Sequence, residues 1–154
     1  MKILLTGSSK GIGFSIAKTL INEGHKIALH YNKNKSSLDT LIKDSKTNSF
    51  TIQSDLSDSK QIKDLVNNTI DKLSFPDCII NNAGIAESAD ISIDFEIWNE
   101  LFDRTIDVNL KAPSLIFKEL IKYKRANKIK SRLRFINIAS RAAFRGEQED
   151  YISY

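Results

Sequence analysis

The chain has 154 residues, of which 41% are hydrophobic and 27% are charged, a composition typical of a globular protein with a buried core. No apolar run approaches the length of a membrane-spanning helix, and the apolar run after Lys2 is too short for the core of a signal peptide. Cys78 is the only cysteine, which excludes an internal disulfide. We therefore expect a cytoplasmic protein with no membrane partner.

The formal net charge is +4, and much of the basic excess lies between Lys118 and Arg134. Such a cluster could bind an acidic partner or nucleic acid, but lysines also suit the negative end of a helix dipole. Because no aromatic interleaving or nucleic-acid motif accompanies it, we favour a helix end and expect no nucleic-acid partner. His25 and His30 have no metal-ligand spacing, so we predict no metal site and expect His30 to be a packed or surface histidine.

Short apolar runs alternate along the chain with longer segments in which apolar residues recur at helical spacing. In chain order, strands are predicted at residues 3–6, 26–31, 49–54, 78–81 and 134–139. Helices are predicted between them at residues 14–23, 36–45, 59–73 and 94–125. Strict alternation requires a parallel sheet with helices on both faces, and right-handed crossovers make it doubly wound, with five strands present. No repeat or linker divides residues 1–154, so we expect a single α/β domain.

The first strand is connected to the first helix by a glycine-rich loop, Thr6-Gly7-Ser8-Ser9-Lys10-Gly11-Ile12-Gly13. Gly7 permits the sharp turn out of the strand, Gly11 lets the backbone approach a phosphate, and Gly13 lets the helix pack closely. The helix N-terminus then offers free N–H groups to a pyrophosphate. A glycine-rich turn without a ligand is the alternative, but the strand–loop–helix context favours dinucleotide binding. The predicted contact residues in this loop are Gly7, Ser9, Lys10, Gly11, Ile12 and Gly13.

The loop spacing, Thr-Gly-x-x-x-Gly-x-Gly, differs from the commonest dinucleotide fingerprint and resembles that of the short-chain dehydrogenase/reductase family. Three further marks of that family follow in order: Asn81-Asn82-Ala83-Gly84, then Asp107-Val108-Asn109, then Ile136-Asn137-Ile138-Ala139-Ser140 followed by Tyr154. The resemblance covers the whole chain and implies a Rossmann-type domain that binds NAD(P). It also implies hydride transfer between nicotinamide and a small-molecule carbonyl or secondary alcohol. The chain is most similar to 3-oxoacyl thioester reductases, which implies an acyl-carrier-linked substrate.

The end of the second strand bears on the choice between NAD and NADP. In NAD-binding domains an acidic residue there binds the ribose hydroxyls. This chain has Asn32 and Lys33 at that point, and no acidic residue lies between Glu23 and Asp39. A cation attracts the extra phosphate of NADP, and in the family a basic residue such as Lys10, before the second glycine, accompanies NADP preference. Either lysine alone is equally typical of a solvated surface, but the two together favour NADP(H) over NAD(H).

Two further cofactor contacts rest on the resemblance. The family places the pair that corresponds to Asp55 and Leu56 beside the adenine ring, although an aspartate after a strand is also typical of a turn or a helix N-cap. The segment formed by Asn82, Ala83 and Gly84 resembles the family segment that lies along the cofactor and joins neighbouring strands.

The resemblance assigns the catalytic roles to Asn109, Ser140 and Tyr154. Ser140 would hydrogen-bond the substrate oxygen and Tyr154 would exchange a proton with it, although each also suits a plain turn or surface position. Asn109 has a separate argument, because Pro113 has no N–H and cannot bond to the carbonyl four residues earlier. The freed Asn109 carbonyl could hold the water of the family's proton relay. A kink at Pro113 that only improves packing is the alternative.

The sequence departs from the family pattern after Tyr154. The family motif is Tyr-x-x-x-Lys, whose lysine lowers the tyrosine pKa, and this sequence ends at the tyrosine. Tyr154 also lies one residue further from Ser140 than the family spacing, and Tyr151 is the competing candidate. We expect an incomplete sequence of a longer, homo-oligomeric enzyme whose missing C-terminal strands would cover the exposed edge of the fifth strand. The alternative is an NADP(H)-binding or sensing protein whose catalysis is impaired by the absent lysine.

Overall fold

The computed structural model describes residues 1–140 and 142–145. Its strands are β1 (Lys2–Leu5), β2 (Lys26–Tyr31), β3 (Phe50–Gln53), β4 (Cys78–Asn81) and β5 (Arg134–Asn137). All of them are parallel and form one sheet in the spatial order β3-β2-β1-β4-β5. Each strand overlaps the one predicted at its place, which confirms the doubly wound α/β fold. That residues 1–154 form a single domain stays a prediction.

The helices are α1 (Gly11–Asn22), α2 (Ser36–Lys43), α3 (Ser59–Leu73), α4 (Phe95–Ile106), α5 (Ala112–Ala126) and α6 (Ala142–Arg145). Helix α3 has the predicted bounds and begins where the Asp58 side chain accepts a hydrogen bond from the Lys60 N–H at 2.8 Å. Asp58, and not Asp55, is therefore the N-cap of this helix. Helix α1 begins at Gly11 rather than at the predicted Phe14, because the glycine loop itself forms the first turn.

The order of the strands reverses at the centre of the sheet. From β1 the chain passes outward to β2 and β3 on one side, and then crosses to β4 and β5 on the other. Ile3 of β1 is in register with Ile27 of β2 and with Cys78 of β4. In open sheets of this kind, ligands bind in the crevice beyond the carboxyl ends of the strands at such a reversal. The segments that follow β1 and β4 therefore border the crevice.

Helices cover both faces of the sheet. Ile3 and Leu5 of β1 pack in a cluster with residues of α1 and α2, whereas Leu4 packs in a second cluster with residues of α3 and α5. All three side chains are buried. A strand that is buried on both faces needs a continuous apolar run, which explains the Ile-Leu-Leu sequence of β1.

The long helical stretch predicted at residues 94–125 consists of α4, a π-helical segment at Asp107–Lys111, and α5. After the π-helical segment the Ala112 N–H donates to the Asp107 carbonyl, five residues earlier. Pro113 is the next residue, and its missing N–H interrupts the helical hydrogen bonds at the start of α5. The helix thus continues through Pro113 by means of a π-helical segment, a local irregularity that occurs inside α-helices.

Strand β5 lies at the edge of the sheet within the described residues and pairs with β4. Its Phe135 packs against Phe117 of α5 in an edge-to-face arrangement, with the ring centroids 4.9 Å apart. Ile136 faces the opposite side of the sheet and is 45% exposed. The exposed apolar edge expected for the fifth strand is therefore present in this part of the chain. None of the described helices combines the length and the apolar character that a membrane crossing requires.

Leu120 tests how much α5 contributes to the core. Its side chain is 0% exposed and packs in the cluster beneath α3. Leu120→Ala should lower the free energy of unfolding by about 2–5 kcal/mol, because it leaves a cavity. Leu110 in the π-helical segment is 65% exposed, and Leu110→Ala should change that energy by less than about 0.5 kcal/mol. Urea unfolding measures both variants, and equal losses would contradict the packing described here.

Candidate functional site

A cleft of about 580 Å³ lies at the carboxyl edge of the sheet, a volume typical of small-molecule sites. Every residue for which the sequence predicted a cofactor contact lines it: Gly7, Ser9, Lys10, Gly11, Ile12, Gly13, Asn32, Lys33, Asp55, Leu56, Asn82, Ala83 and Gly84. The structure thus brings together the segments that follow β1, β2, β3 and β4, while their contact with a ligand stays a prediction. Within the described part of the chain, no three His, Cys, Asp or Glu side chains are grouped to hold a metal ion.

The glycine loop turns so tightly that two of its glycines have no room for a side chain. Gly7 has a φ of +64°, and a Cβ at Gly7 would lie 2.7 Å from the Ala83 Cα. A Cβ at Gly13 would lie 2.2 Å from the Gly7 carbonyl oxygen and 2.4 Å from Nδ2 of Asn82. The first turn of α1 therefore packs directly on the end of β1, as the sequence pattern predicted for these two positions.

The N-terminus of α1 borders the cleft. The first hydrogen bond within this helix runs from the Phe14 N–H to the Lys10 carbonyl at 3.2 Å, so the N–H groups of the three residues before Phe14 precede the helical ladder. Lys10 forms no side-chain cap, and the first turn contains no acidic residue. A Cβ at Gly11 would meet no atom within 4 Å, so open space lies in front of this turn. The arrangement suits an anion at the helix N-terminus.

Thr6 and Asn82 connect the ends of the two central strands. Thr6 Oγ1 accepts hydrogen bonds from the N–H groups of Asn82 and Ala83, both at 3.0 Å. In return, Asn82 Nδ2 donates to the carbonyls of Thr6 and Gly7, each at 3.0 Å. These bonds hold the segment after β4 against the glycine turn. They provide the link between neighbouring strands that the family resemblance implied.

His30, at the carboxyl end of β2, is a cleft residue to which sequence reasoning gave no role. The Gly7 N–H donates to His30 Nδ1 at 3.0 Å, and Nε2 lies 2.9 Å from the Ser54 carbonyl, to which it donates. The side chain is 2% exposed, so the histidine is packed rather than on the surface. Burial lowers the pKa of His30, while the Ser54 hydrogen bond and the Asp55 charge oppose this more weakly. Since the Gly7 N–H can only donate, Nδ1 must be the acceptor, and this geometry requires a neutral ring with its proton on Nε2.

Four more residues line the cleft that were not among the predicted cofactor contacts: Asn34, Ile85, Arg104 and Val108. Arg104 and Val108 are four residues apart on the long helical stretch and so reach the cleft from one helix face. Arg104 also forms an ion pair with Glu87 at 3.5 Å. Helical spacing back from the Asp107-Val108-Asn109 motif could have found this pair, whereas Asn34 and Ile85 required the folded chain.

The charged lining of the cleft is mostly cationic. Lys10, Lys33 and Arg104 line it together with one carboxylate, Asp55. Within residues 1–140 and 142–145, neither lysine forms an ion pair. Asp55 forms a turn in which Oδ1 accepts from the Ser57 N–H and Oγ, and the Ser57 N–H bond is the main cause of its lowered pKa. Two unpaired lysines suit a ligand that carries phosphate groups.

Asn109 lies in the π-helical segment and pairs its side chain with the backbone of Ile85. Its Oδ1 accepts from the Ile85 N–H at 2.9 Å, and its Nδ2 donates to the Ile85 carbonyl at 2.8 Å. The amide side chain thus fixes the loop after β4 to the long helical stretch, one residue beyond Gly84. Sequence reasoning considered only the backbone carbonyl of Asn109 and missed this contact.

The other two predicted catalytic residues follow β5. Ser140 Oγ accepts a hydrogen bond from the Ala142 N–H at 3.2 Å, and Ser140 does not line the cleft. Tyr154 and its competitor Tyr151 lie outside the described residues. The catalytic roles of Asn109, Ser140 and Tyr154 therefore stay predictions.

A family model for short chain dehydrogenases matches residues 1–154. The chain belongs to the short-chain dehydrogenase family. This confirms the resemblance that the four motifs indicated.

Two bacterial reductases are similar in sequence to this short-chain dehydrogenase. The 3-oxoacyl-[acyl-carrier-protein] reductase FabG of Staphylococcus aureus is 32% identical over 111 residues, which cover 70% of this chain and 44% of that protein. A 3-oxoacyl-[acyl-carrier-protein] reductase of Synechocystis is 29% identical over 147 residues, which cover 93% of this chain and 57% of that protein. The chain thus spans about half the length of these relatives.

Two solved structures have the same fold. A blue fluorescent protein from a metagenomic library, in complex with NADPH, superposes with a TM-score of 0.81 at 25% identity, over 97% of this chain and 59% of that one. A metagenomic short-chain oxidoreductase in complex with NADP superposes with a TM-score of 0.80 at 27% identity, over 99% of this chain and 67% of that one.

Gly11 and Gly24 form a matched pair for testing the cleft. Gly11 has a φ of +55° and Gly24 a φ of +81°, and a Cβ at either position would meet no atom within 4 Å. Each change to alanine should therefore cost a similar amount of stability, about 1–2 kcal/mol, because of the positive φ. Of these two glycines, Gly11 lines the cleft and Gly24 does not. Calorimetry should show NADP⁺ binding weakened about tenfold in Gly11→Ala and unchanged in Gly24→Ala, and equal binding by the two variants would contradict this assignment.

Asn109→Asp tests the pairing with Ile85. The substitution removes the Nδ2 donor and turns a carboxylate oxygen towards the Ile85 carbonyl, so it should lower the free energy of unfolding by about 1–3 kcal/mol. Asn68 is exposed on α3, and Asn68→Asp should change that energy by less than about 0.5 kcal/mol. Thermal and urea unfolding measure both, and similar stability of the two variants would show that the Ile85 contact contributes little.

Proposed function

We propose that this chain forms the cofactor-binding part of an NADP(H)-dependent oxidoreductase that transfers a hydride between nicotinamide and a carbonyl or secondary alcohol. The observation that carries the proposal is the cleft at the reversal point of the sheet. There the N-terminus of α1 borders the same space as Lys10 and Lys33, neither of which forms an ion pair with another described residue. The NADPH and NADP complexes of the two solved relatives support the same cofactor here.

The residues present fit a phosphorylated dinucleotide. The open space in front of Gly11 and the uncapped N-terminus of α1 suit the pyrophosphate. Its oxygen atoms would accept hydrogen bonds from the free N–H groups of the helix. Lys10 and Lys33 would hold the extra phosphate of NADP, and no carboxylate stands at the end of β2 to repel it. Asp55 would accept from the adenine amine, while Asn82, Ala83 and Gly84 would lie along the cofactor.

The chemistry at the substrate requires a proton at one oxygen atom, while bound NADPH supplies the hydride. Ser140 would donate a hydrogen bond to the substrate oxygen, and Tyr154 would give a proton to the same atom. The Asn109 backbone carbonyl would hold a water that returns a proton to the tyrosine. Free tyrosine has a pKa near ~10 and is a weak acid–base group at neutral pH, so Tyr154 needs a nearby cation such as the lysine of the family motif.

A 3-oxoacyl thioester is the substrate class that we propose. Its support is the two bacterial relatives, both of which are 3-oxoacyl-[acyl-carrier-protein] reductases. This chain spans 44% and 57% of those proteins, so the substrate class does not follow from family membership alone.

The cofactor preference can be tested with charge variants. Lys33→Ala and Lys10→Ala should each weaken NADP⁺ binding by about tenfold, because each removes a charge-assisted hydrogen bond to phosphate, and should leave NAD⁺ binding almost unchanged. Lys18 is exposed on α1 and does not line the cleft, so Lys18→Ala is the control. Calorimetry at fixed salt measures all three variants. Equal losses for NADP⁺ and NAD⁺ would contradict a role for these lysines at the extra phosphate.

The reaction itself is tested by NADPH oxidation in the presence of a 3-oxoacyl thioester, with Ser140→Ala as the inactive variant. Turnover that disappears in Ser140→Ala would support the oxidoreductase. NADP⁺ binding with no turnover of any carbonyl substrate would favour the alternative, a nucleotide-binding or sensing protein.

A further inference from the structure

We propose that His30 is a positioning residue of the cleft: its neutral ring joins the glycine turn to the end of β3, and protonation of that ring weakens NADP(H) binding. This inference rests on the proposed function, because NADP⁺ is the probe that reports it. It adds a residue that neither the sequence motifs nor the family resemblance assigns.

The backbone and the ring of His30 both bind the glycine loop. The His30 carbonyl accepts from the Ser8 N–H and from Ser8 Oγ, both at 2.9 Å. The ring accepts from the Gly7 N–H at 3.0 Å. Three donors from two consecutive loop residues therefore end on one histidine. The turn that exposes the N-terminus of α1 is held from the side of β2 by these bonds.

The same ring reaches the cleft segment that follows β3. His30 Nε2 donates to the Ser54 carbonyl at 2.9 Å, and Ser54 directly precedes Asp55 and Leu56, which line the cleft. The ring is thus a bridge between the phosphate side of the cleft and the side predicted for adenine. A bridge of this kind needs an acceptor at one end and a donor at the other, which neutral imidazole supplies.

Protonation is incompatible with this bridge. An imidazolium ion carries an N–H on both nitrogens, so Nδ1 could no longer accept from the Gly7 N–H, and the two N–H groups would face one another. Because the His30 ring is buried and cannot turn out to solvent, the glycine turn would have to move or lose its hydrogen bond. Within the described residues, the charge that acts on the ring is that of Asp55, after β3, and it favours the charged ring. Lys10, Lys33 and Arg104 line the same cleft, and their positive charges disfavour it.

The neutral His30 ring stabilises the folded protein only within a certain pH range. Burial holds the pKa of His30 below its ordinary value of 6.5 in the folded protein. An unfolded chain takes up this proton near pH 6.5, whereas the folded protein resists it until the pH falls further. The contribution of the neutral ring to stability is therefore complete above pH 6.5 and is lost as the pH falls from there through the lowered pKa.

A competing effect has the opposite sign. A cationic ring beside the cleft would attract the phosphates of the ligand and strengthen binding at low pH. We expect the loss of the Gly7 hydrogen bond to dominate, because the ring is buried and its Nδ1 is directed at the backbone rather than at the open cleft.

The experiment is calorimetric titration of the full 154-residue chain with NADP⁺ at about pH 7.5, 6.5 and 5.5, for the wild type, H30N and H25N. Asparagine can still accept a hydrogen bond but does not titrate. His25 is the other histidine of the chain and lies outside the cleft, which makes H25N the matched control. The extra phosphate of NADP⁺ itself titrates near pH ~6, and that effect is shared by all three proteins.

We expect H30N to bind NADP⁺ about tenfold more weakly than the wild type at about pH 7.5 and to keep only the shared pH dependence. The wild type and H25N should lose additional affinity for NADP⁺ as the pH falls. Their affinities should therefore approach that of H30N at low pH. Parallel pH curves for the wild type and H30N, or a wild type that gains affinity relative to H30N at low pH, would overturn the inference. Absence of NADP⁺ binding by the wild type at about pH 7.5 would instead overturn the proposed function.

A second measurement covers the case in which H30N does not fold. NMR of the wild type should show the His30 proton on Nε2 at neutral pH and a Gly7 amide shift that follows the titration of the His30 ring. A Gly7 amide that is insensitive to that titration would also overturn the inference.

Discussion

The site depends on the absence of a side chain at Gly13. The first turn of α1 lies so close to the end of β1 that a Cβ there would meet the Gly7 carbonyl oxygen at 2.2 Å. This contact sets the direction in which α1 leaves the sheet, and so it also sets where the helix N-terminus faces. Asn82 fills the remaining side of the same contact, because its Nδ2 donates to the Gly7 carbonyl. One close approach of two backbone segments therefore positions the strand ends around the cleft.

Much of this arrangement could be predicted from the sequence, because its determinants are local. The alternation of apolar runs and helical patterns indicated the sheet, and the glycine spacing indicated the turn after β1. The residues expected at the cofactor all line one cleft, since each lies in a segment that follows a strand whose carboxyl end is at that edge. The predicted start of α1, at Phe14, differs from the observed start at Gly11 by less than one helical turn.

The contacts that sequence reasoning missed join distant residues through groups with an ordinary alternative role. His30 is 23 residues from Gly7, and Asn109 is 24 residues from Ile85. A histidine on a strand and an asparagine on a helix give no sign of the backbone groups that they meet in the folded chain. Pro113 indicated that the hydrogen bonds of the helix are interrupted, but it did not indicate how. A π-helical segment and a break in the helix both accommodate a proline.

The position of β1 at the centre of the sheet has a consequence for the order of folding. Its neighbour β2 follows within a short stretch of chain, but its other neighbour, β4, begins only at Cys78. Pairing of the two central strands therefore has high contact order, and the loop-closure entropy must be overcome before Thr6 can meet Asn82. During synthesis the N-terminal half of the cleft emerges first, yet the glycine turn cannot reach its final geometry until the segment after β4 arrives. We therefore expect the binding cleft to be completed late in folding, although its glycine turn is synthesised before the other segments that line it.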